Sequence, residues 1–473
     1  MNCHDRLTDA GISNMSISSI LAKYVVETSY DEIDHQAVEM ARRSLLDAVG
    51  VTLAASGLTA SCQPFVELAM ESRGKKESTI LGYGKKVSAE MAAFANGSMA
   101  HAIDFEDAHD LALVHPNAPL VPAALALAES IGTVSGKEFI AAMALGCDIV
   151  CRLGLALGVN PIAFGWYIPP VLGAFGATAA AGKLLHLNAV QLLDAFSLTL
   201  CQTTCSAELR YNPHSDIRAV RDAFASKAGV VSVLLAKKGI KGFALPFEGK
   251  AGLFSLYARG NYDPSALTRN MGKVYEGANI SFKPWPTCRG THTYIEAALG
   301  LMAEYPINIH DIAAVNIIVS PFNSMLCEPL EAKRHPAIAI DAKFSLPFVI
   351  ATALCHKDVA LNRFTADAMN DGKVLGLARK VAYTVNPDPG LTNILQGIVE
   401  IKMKDSTVVS KKVTHALGSP ENPMSKKDLV AKFIDCAKQS VNPLSMEQLD
   451  IAAQKILFLD KMKNMNELIH FIS

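Results

Sequence analysis

The sequence predicts a mainly α protein with an inserted α+β domain: a large all-helical domain, a smaller layer of strands and helices, and terminal helices that return to the first domain. Three observations predict it. From Ser16 to about Gly272, apolar residues recur at intervals of three and four. Beyond Pro264 to Ser281 come short β-branched runs, Ala313 to Val319 (AAVNIIV), Lys380 to Val385 (KVAYTV) and Gly397 to Met403 (GIVEIKM), interleaved with helical stretches at His292 to Glu304 and Ala342 to Cys355. After the turn-rich GSPENP at Gly418 to Pro423, amphipathic helix resumes in SKKDLVAKFIDCAKQ and SMEQLDIAAQKILFL. The boundaries read as 1–277 for the first part of the helical domain, 278–415 for the insertion and 416–473 for the returning helices.

Each helix of the first region has its own signature. In Ile33 to Ala55, Ala37, Met40, Ala41, Leu45, Ala48 and Val49 share a stripe, Glu39 and Arg43 pair outside it, and Ser29 and Asp31 precede it as candidate caps. Similar patterns cover Ser61 to Ser72, Ala89 to Ala100, Ala123 to Ile131, Gly136 to Leu155, Val171 to Leu185, Asn188 to Thr204 and Ile217 to Lys238. Their repeated Gly and Ala imply tight helix contacts.

Composition narrows the function classes. With 473 residues, half of them hydrophobic, two buried cores are expected. Lys and Arg (44) balance Asp and Glu (45), and no basic stripe or paired-Cys finger occurs, which argues against nucleic acid as a partner. The stretch MNCHDRLTDAGISNMS has no apolar core of signal-peptide length, so a cytoplasmic protein is expected. Ten scattered cysteines read as small buried hydrophobes, and the four-residue spacings of Cys147/Cys151 and Cys201/Cys205 lack a second pair for zinc. The run Leu153 to Gly182 has no charge and bilayer length, but Asn160, Pro161, Pro169 and Pro170 break it, so it reads as buried and no membrane partner is expected.

Polar density peaks at residues 101–122, HAIDFEDAHDLALVHPNAPLVP, between two apolar helices. His101, His109 and His115 with Asp104, Glu106, Asp107 and Asp110 have the donors for a metal site, or for helix-end charges on a wet loop; Asp104, flanked by Ile103 and Phe105, reads as buried. A second group is FKPWPTCRGTH at Phe282 to His292: Lys283, Cys288, Arg289 and His292 sit on a proline-stiffened loop, either an anion clamp or a hinge, with Thr291 a candidate cap. A third is DIRAVRDAFASK at Asp216 to Lys227, where Arg218 and Arg221 share a helix face and suit a carboxylate, or pair with Asp216 and Asp222; Ser215 is a candidate cap. The aromatic turn AFGWYIPP, Ala163 to Pro170, completes the set.

HAIDFEDAHDLALVHPNAPLVPAALALAE, GWYIPPVLGAFGATAAAGKLL, FEGKAGLFSLY, KPWPTCRGTH, DAKFSLPF and GSPENPMS, in this order along nearly the whole chain, resemble the MmgE/PrpD family, which includes 2-methylcitrate dehydratases, cis-aconitate decarboxylases and iminodisuccinate epimerase. The resemblance implies a helical domain with an inserted α/β lid, a homodimer, and cofactor-free chemistry on a small di- or tricarboxylate between the two domains. Asp104 falls on the family's acidic motif, His115 on its histidine before proline, Lys283 on its loop lysine and His292 on the histidine opening the next helix. Cys288, a histidine position in the decarboxylases, matches the dehydratase-like loop. Tyr167 stands where decarboxylases and many dehydratases have histidine, Ile217, Arg218 and Arg221 replace a Thr-Lys-x-x-His pattern, and Ala108 replaces a decarboxylase threonine.

The reaction expected from these residues is proton transfer at a carbon beside a carboxylate. His115 acts as general base or acid, oriented by Asp104. Tyr167 donates a proton or positions substrate, and Arg218, Arg221, Lys283 and Arg289, with Cys288 beside them, hold carboxylates. A 2-methylcitrate dehydratase-like hydro-lyase is expected first, with cis-aconitate decarboxylase-like and iminodisuccinate epimerase-like activity behind it. A metal-dependent hydrolase and a non-catalytic metabolite-binding protein stay open as other classes.

Overall fold

A computed structural model describes residues 15–212, 215–386 and 396–473. The stretch read above for a signal peptide, through residue 14 and including Cys3, lies outside them. The chain forms two compact units, one of residues up to Ile280 together with Ser425–Ser473, the other of Ser281–Met424.

The helical unit is built from principal helices α1 (Ile17–Glu27), α2 (His35–Leu58), α3 (Ala89–Ala100), α4 (Asn117–Ile131), α5 (Gly136–Leu155), α6 (Ile168–Leu184), α7 (Ala189–Leu200) and α8 (Asp222–Lys237). Asp34 caps α2 by accepting from the Gln36 N–H, whereas Ser29 closes a separate short turn with Glu32; the cap expected at Ser29 or Asp31 therefore sits at Asp34, three residues after Asp31. Helix α4 begins at Asn117, six residues before the expected Ala123, because Pro119 falls in the first turn, where no intrahelical N–H partner is required. Pro169 and Pro170 occupy the first turn of α6 in the same way. The uncharged run Leu153 to Gly182 is divided among the end of α5, a short turn at Pro161–Phe164 and α6, and no single described helix is long and apolar enough to cross a membrane.

Helix α6 is the buried centre of this unit, in contact with α4, α5, α7 and α8. Its approach to α5 is set by glycine: a Cβ on Gly176 would stand 2.1 Å from Val150 Cγ2 and 2.9 Å from the Gly146 carbonyl. The expected Ile217–Lys238 helix is broken at Arg221 into Ile217–Val220 and α8. At the break Arg221 Nη1 donates to the Arg218 carbonyl, so a side chain takes an acceptor that a continuing helix would have used. The hairpin Ser78–Ile80 (β1) and Lys85–Val87 (β2) was not foreseen, its strands being only three residues each.

The second unit carries a four-stranded sheet of order β4-β3-β5-β6, formed by β3 (Ile312–Val319), β4 (Val381–Val385), β5 (Gly397–Met403) and β6 (Val408–Val413). Strands β3 and β4 run parallel and the other pairs antiparallel. Ile312, Val315, Ile317 and Val319 alternate into a core shared with Tyr294, Ile295 and Leu301 of α9 (His292–Glu304) and Phe348, Val349 and Ile350 of α10 (Leu346–His356). Strand β6 escaped the sequence reading because VVSKKV is an edge strand whose lysines hide the apolar alternation. Helices α11 (Lys426–Ala437) and α12 (Met446–Leu457), opened by the capping boxes Ser425/Asp428 and Ser445/Gln448, pack on α2 and complete the helical unit.

Gly176→Ala gains about 1 kcal/mol of helix propensity but forces the Gly146 backbone away. The expected net result is a loss of about 1 to 3 kcal/mol, read as an earlier unfolding midpoint; an unchanged or higher midpoint contradicts the close α5–α6 contact.

Candidate active site

Helix α3 ends at Ala100 and the chain turns sharply, with the Asp104 N–H donating to the His101 carbonyl at 2.8 Å. Asp104 has φ +52°, a left-handed conformation that Asp tolerates better than most residues. This turn carries His101, Asp104, Glu106 and Asp107 inward, each almost without solvent exposure.

One carboxylate oxygen organises the group. Glu106 Oε1 lies 2.6 Å from His101 Nδ1 and 2.9 Å from His115 Nδ1, and the two rings stand 5.5 Å apart. His115 Nδ1 is also 2.9 Å from the Asp107 carbonyl. A ring nitrogen facing a carboxylate and a carbonyl carries the proton, so His115 presents Nε2 as its basic atom. The expectation that Asp104 orients His115 is refined: the partner seen at Nδ1 is Glu106, while Asp104 contributes a donor to the same cluster, the ligand atoms of His101, Asp104 and Glu106 lying within 4.8 Å of one another. Those three residues are the set that could hold a metal ion among the described residues. His109 belongs elsewhere; its Nδ1 accepts from the Ala112 N–H and tightens the loop.

Burial lowers the His101 pKa, Arg221 adds to the effect, and Glu106 opposes it, which leaves a neutral imidazole beside a carboxylate. Burial drives Asp107 the other way, up to about 7, against the hydrogen bond from Asn117 Nδ2 and with help from Asp47. Asp107 and Asn117 had no individual role in the sequence reading. A carboxyl that shares a proton near neutrality is produced by burial, which residue spacing does not reveal.

Arg221 brings the positive charge. It is 3% exposed and stacks over Tyr167, with its guanidinium carbon 4.9 Å from the ring centroid. Nε is 3.9 Å from Asp222, and neither Nε nor Nη2 has a hydrogen-bond partner among the described residues. Burial disfavours its charge, but Tyr167, Asp222 and Glu106 outweigh that and keep it ionised above the ordinary arginine range. Arg218 lies one turn earlier and offers its carbonyl to Arg221; Ser215 accepts from the Ile217 N–H, but the cap position expected at Ser215 is taken by Asp216, whose side chain makes no cap bond.

The remaining predicted residues belong to the second unit. Lys283 and His292 are fully buried, Arg289 nearly so, and Cys288 partly. His292 Nε2 meets the Thr287 carbonyl at 3.2 Å and Nδ1 meets Arg289 Nη1 at 3.4 Å, while Arg289 Nη1 also donates to the Leu417 carbonyl. Both ring nitrogens of His292 are therefore occupied in fastening its loop. Thr291 does not cap α9 through its side chain; its hydroxyl donates to the Cys288 carbonyl instead.

Family models described as the MmgE/PrpD N-terminal domain and the MmgE/PrpD C-terminal domain match residues 19–265 and 285–456. The chain belongs to the MmgE/PrpD family. It is 26% identical to a cis-aconitate decarboxylase-like protein of Aspergillus oryzae over 97% of each chain. It is 24% identical to the cis-aconitate decarboxylase of Aspergillus terreus, covering 97% of this chain and 96% of that one. The human cis-aconitate decarboxylase is likewise 24% identical, over 92% of this chain and 90% of its own. For an MmgE/PrpD protein, the imidazole pair on Glu106 beside a buried guanidinium is a chemically apt place for an organic acid.

A carboxyl whose folded pKa is raised binds its proton more tightly when folded, so its contribution is favourable at low pH and is lost as pH climbs from about 4 to about 7. Asp107→Asn is expected to gain stability relative to the parent at pH 8, by roughly 3 kcal/mol, and little at pH 4. Thermal unfolding at both pH values measures this, and an equal effect at both excludes a neutral Asp107.

Proposed function

We propose that this MmgE/PrpD protein is a cofactor-independent lyase that moves a proton at a carbon beside a carboxylate of a small di- or tricarboxylate. The observation that carries the reading is the shared Glu106 oxygen: it fixes two imidazoles in one tautomer and presents His115 Nε2 as a base. Because both rings lean on one oxygen, protonating either makes the second protonation harder, so the pair takes up one further proton at a time. Such a pair takes a proton from carbon, or returns one, without leaving a buried charge unbalanced.

Arg221 supplies the opposite need. A guanidinium with unfilled donors, held against Tyr167, suits a substrate carboxylate and stabilises the negative charge that accumulates beside it. Loss of carbon dioxide from an unsaturated tricarboxylate leaves its electron pair on a carbon conjugated with a remaining carboxylate, and the imidazole pair then delivers the proton. The likeness to cis-aconitate decarboxylases favours this decarboxylation, on a cis-aconitate-like acid, over dehydration. Dehydration of a 2-methylcitrate-like hydroxy acid is kept as the second reading on one observation, Cys288 at the position where the decarboxylases resembled here have histidine. Lys283 and Arg289 are proposed as further carboxylate ligands, and His292 as the residue that holds their loop.

Proton NMR in deuterium oxide with cis-aconitate or 2-methylcitrate separates the readings by loss of carbon dioxide or of water. His115→Ala is expected to lower kcat by about 100-fold or more, with the product unchanged; a rate equal to the parent's refutes the assigned base. Arg221→Gln should raise KM by about tenfold or more, and an unaltered KM removes it from substrate binding. Chelation is expected to leave turnover intact. Activity that vanishes with chelator and returns with a divalent ion would instead assign His101, Asp104 and Glu106 to a metal.

A further inference from the structure

Lys432, on α11, is a buried cation that the chemistry above does not use. Its Nζ lies 2.6 Å from Asp47 Oδ1 on α2, donates to the Phe105 carbonyl at 2.7 Å, and sits 3.9 Å over the centre of the Phe105 ring. Phe105 is the residue between Asp104 and Glu106. We propose that Lys432 and Asp47 are positioning residues: a strut from the returning helix that fixes the peptide joining Phe105 to Glu106, and with it the carboxylate shared by the two imidazoles. The kinetic part of this proposal rests on the proton-transfer reading.

Three observations carry it. A lysine head group out of water is costly, and an apolar residue of similar length fills the same space without that cost. Packing alone thus gives no reason for a charge here, whereas the bond to the Phe105 carbonyl does. Asp104 next door is held at φ +52°, a conformation that persists when its surroundings over-determine it, and a charge-assisted bond to the following residue is such a restraint. Third, α2 and α11 approach closely at this point: Gly50, one turn after Asp47, leaves room for Phe433, whose Cα would stand 3.2 Å from an added Cβ. That approach brings Lys432 within reach of both Asp47 and the loop.

The test uses the full chain with Lys432→Met, Lys432→Arg and the double variant Asp47→Asn/Lys432→Met. Lys432→Met is expected to lower kcat on the order of 100-fold with KM little changed, since substrate-holding cations are untouched. The His101 ring, followed by NMR of labelled histidine, should titrate at lower pH, because the Glu106 contact that raises it loosens while Arg221, which lowers it, remains; Asp104 and the His115 ring are the other groups facing it. Lys432→Arg, able to serve both acceptors, should recover most of the rate. In the double variant no buried charge is left unpaired, so thermal stability returns, but kcat and the His101 titration stay displaced. Should Lys432→Met fail to fold, the double variant decides. The strut is overturned if kcat returns together with stability, or if His101 titrates as in the parent. If the parent turns over no polycarboxylate, the proton-transfer reading fails, and the His101 titration still judges the strut.

Discussion

One carboxylate oxygen serving two imidazoles is the constraint on which the site depends. Glu106 is sealed from solvent, so its carboxylate needs hydrogen-bond donors at short range, and the Nδ1 atoms of His101 and His115 supply them at 2.6 and 2.9 Å. The same contacts remove rotational and tautomeric freedom from both rings. A base prepared in this way pays little reorganisation when a proton moves. The turn that delivers Glu106 requires Asp104 in a left-handed conformation and a loop closed by His109, so several unusual local features serve a single geometric end.

The positive side of the site follows from a different local event. A helix that runs on through Arg221 keeps its carbonyls for its own backbone; here the hydrogen-bond ladder is interrupted while the Arg221 backbone stays helical, the Arg218 carbonyl accepts from the Arg221 side chain, and the guanidinium lies against Tyr167. Burying that charge is tolerable because Glu106 and Asp222 lie in its field. Their negative charge also keeps it from being neutralised, leaving donor atoms available to an anion. Tyr167 and Arg221, which replace imidazoles in the family pattern, thus form one unit, and the exchange trades titratable groups for a fixed charge on an aromatic platform.

Rigidity around these loops comes from close helix packing. Alanine and glycine along α5 and α6 let the backbones approach until the Gly146 and Gly176 carbonyls limit further contact. Loops springing from so dense a core inherit its rigidity, which a site built on a shared hydrogen bond needs.

Much of this was legible in the residues. Apolar spacing gave most helices of the first unit and the strands β3, β4 and β5 close to their observed limits, because period and burial are linked locally, but it did not single out α1 and it started α4 six residues late. It failed at β6 and at the β1–β2 hairpin, where short length or exposed lysines erase the alternation, and at Arg221, where a side chain took a backbone acceptor. The motif order pointed to the family, and polar density singled out residues 101–122. What sequence could not assign was partnership. Seven titratable side chains in fifteen residues admit many pairings, and which one is realised depends on a turn at Asp104 and on groups far along the chain, Asp47, Arg221 and Lys432. Electrostatic energies change steeply over a few ångströms and with burial, so only the packed tertiary structure decided that Glu106 is the common acceptor and that Asp107 lies near neutrality.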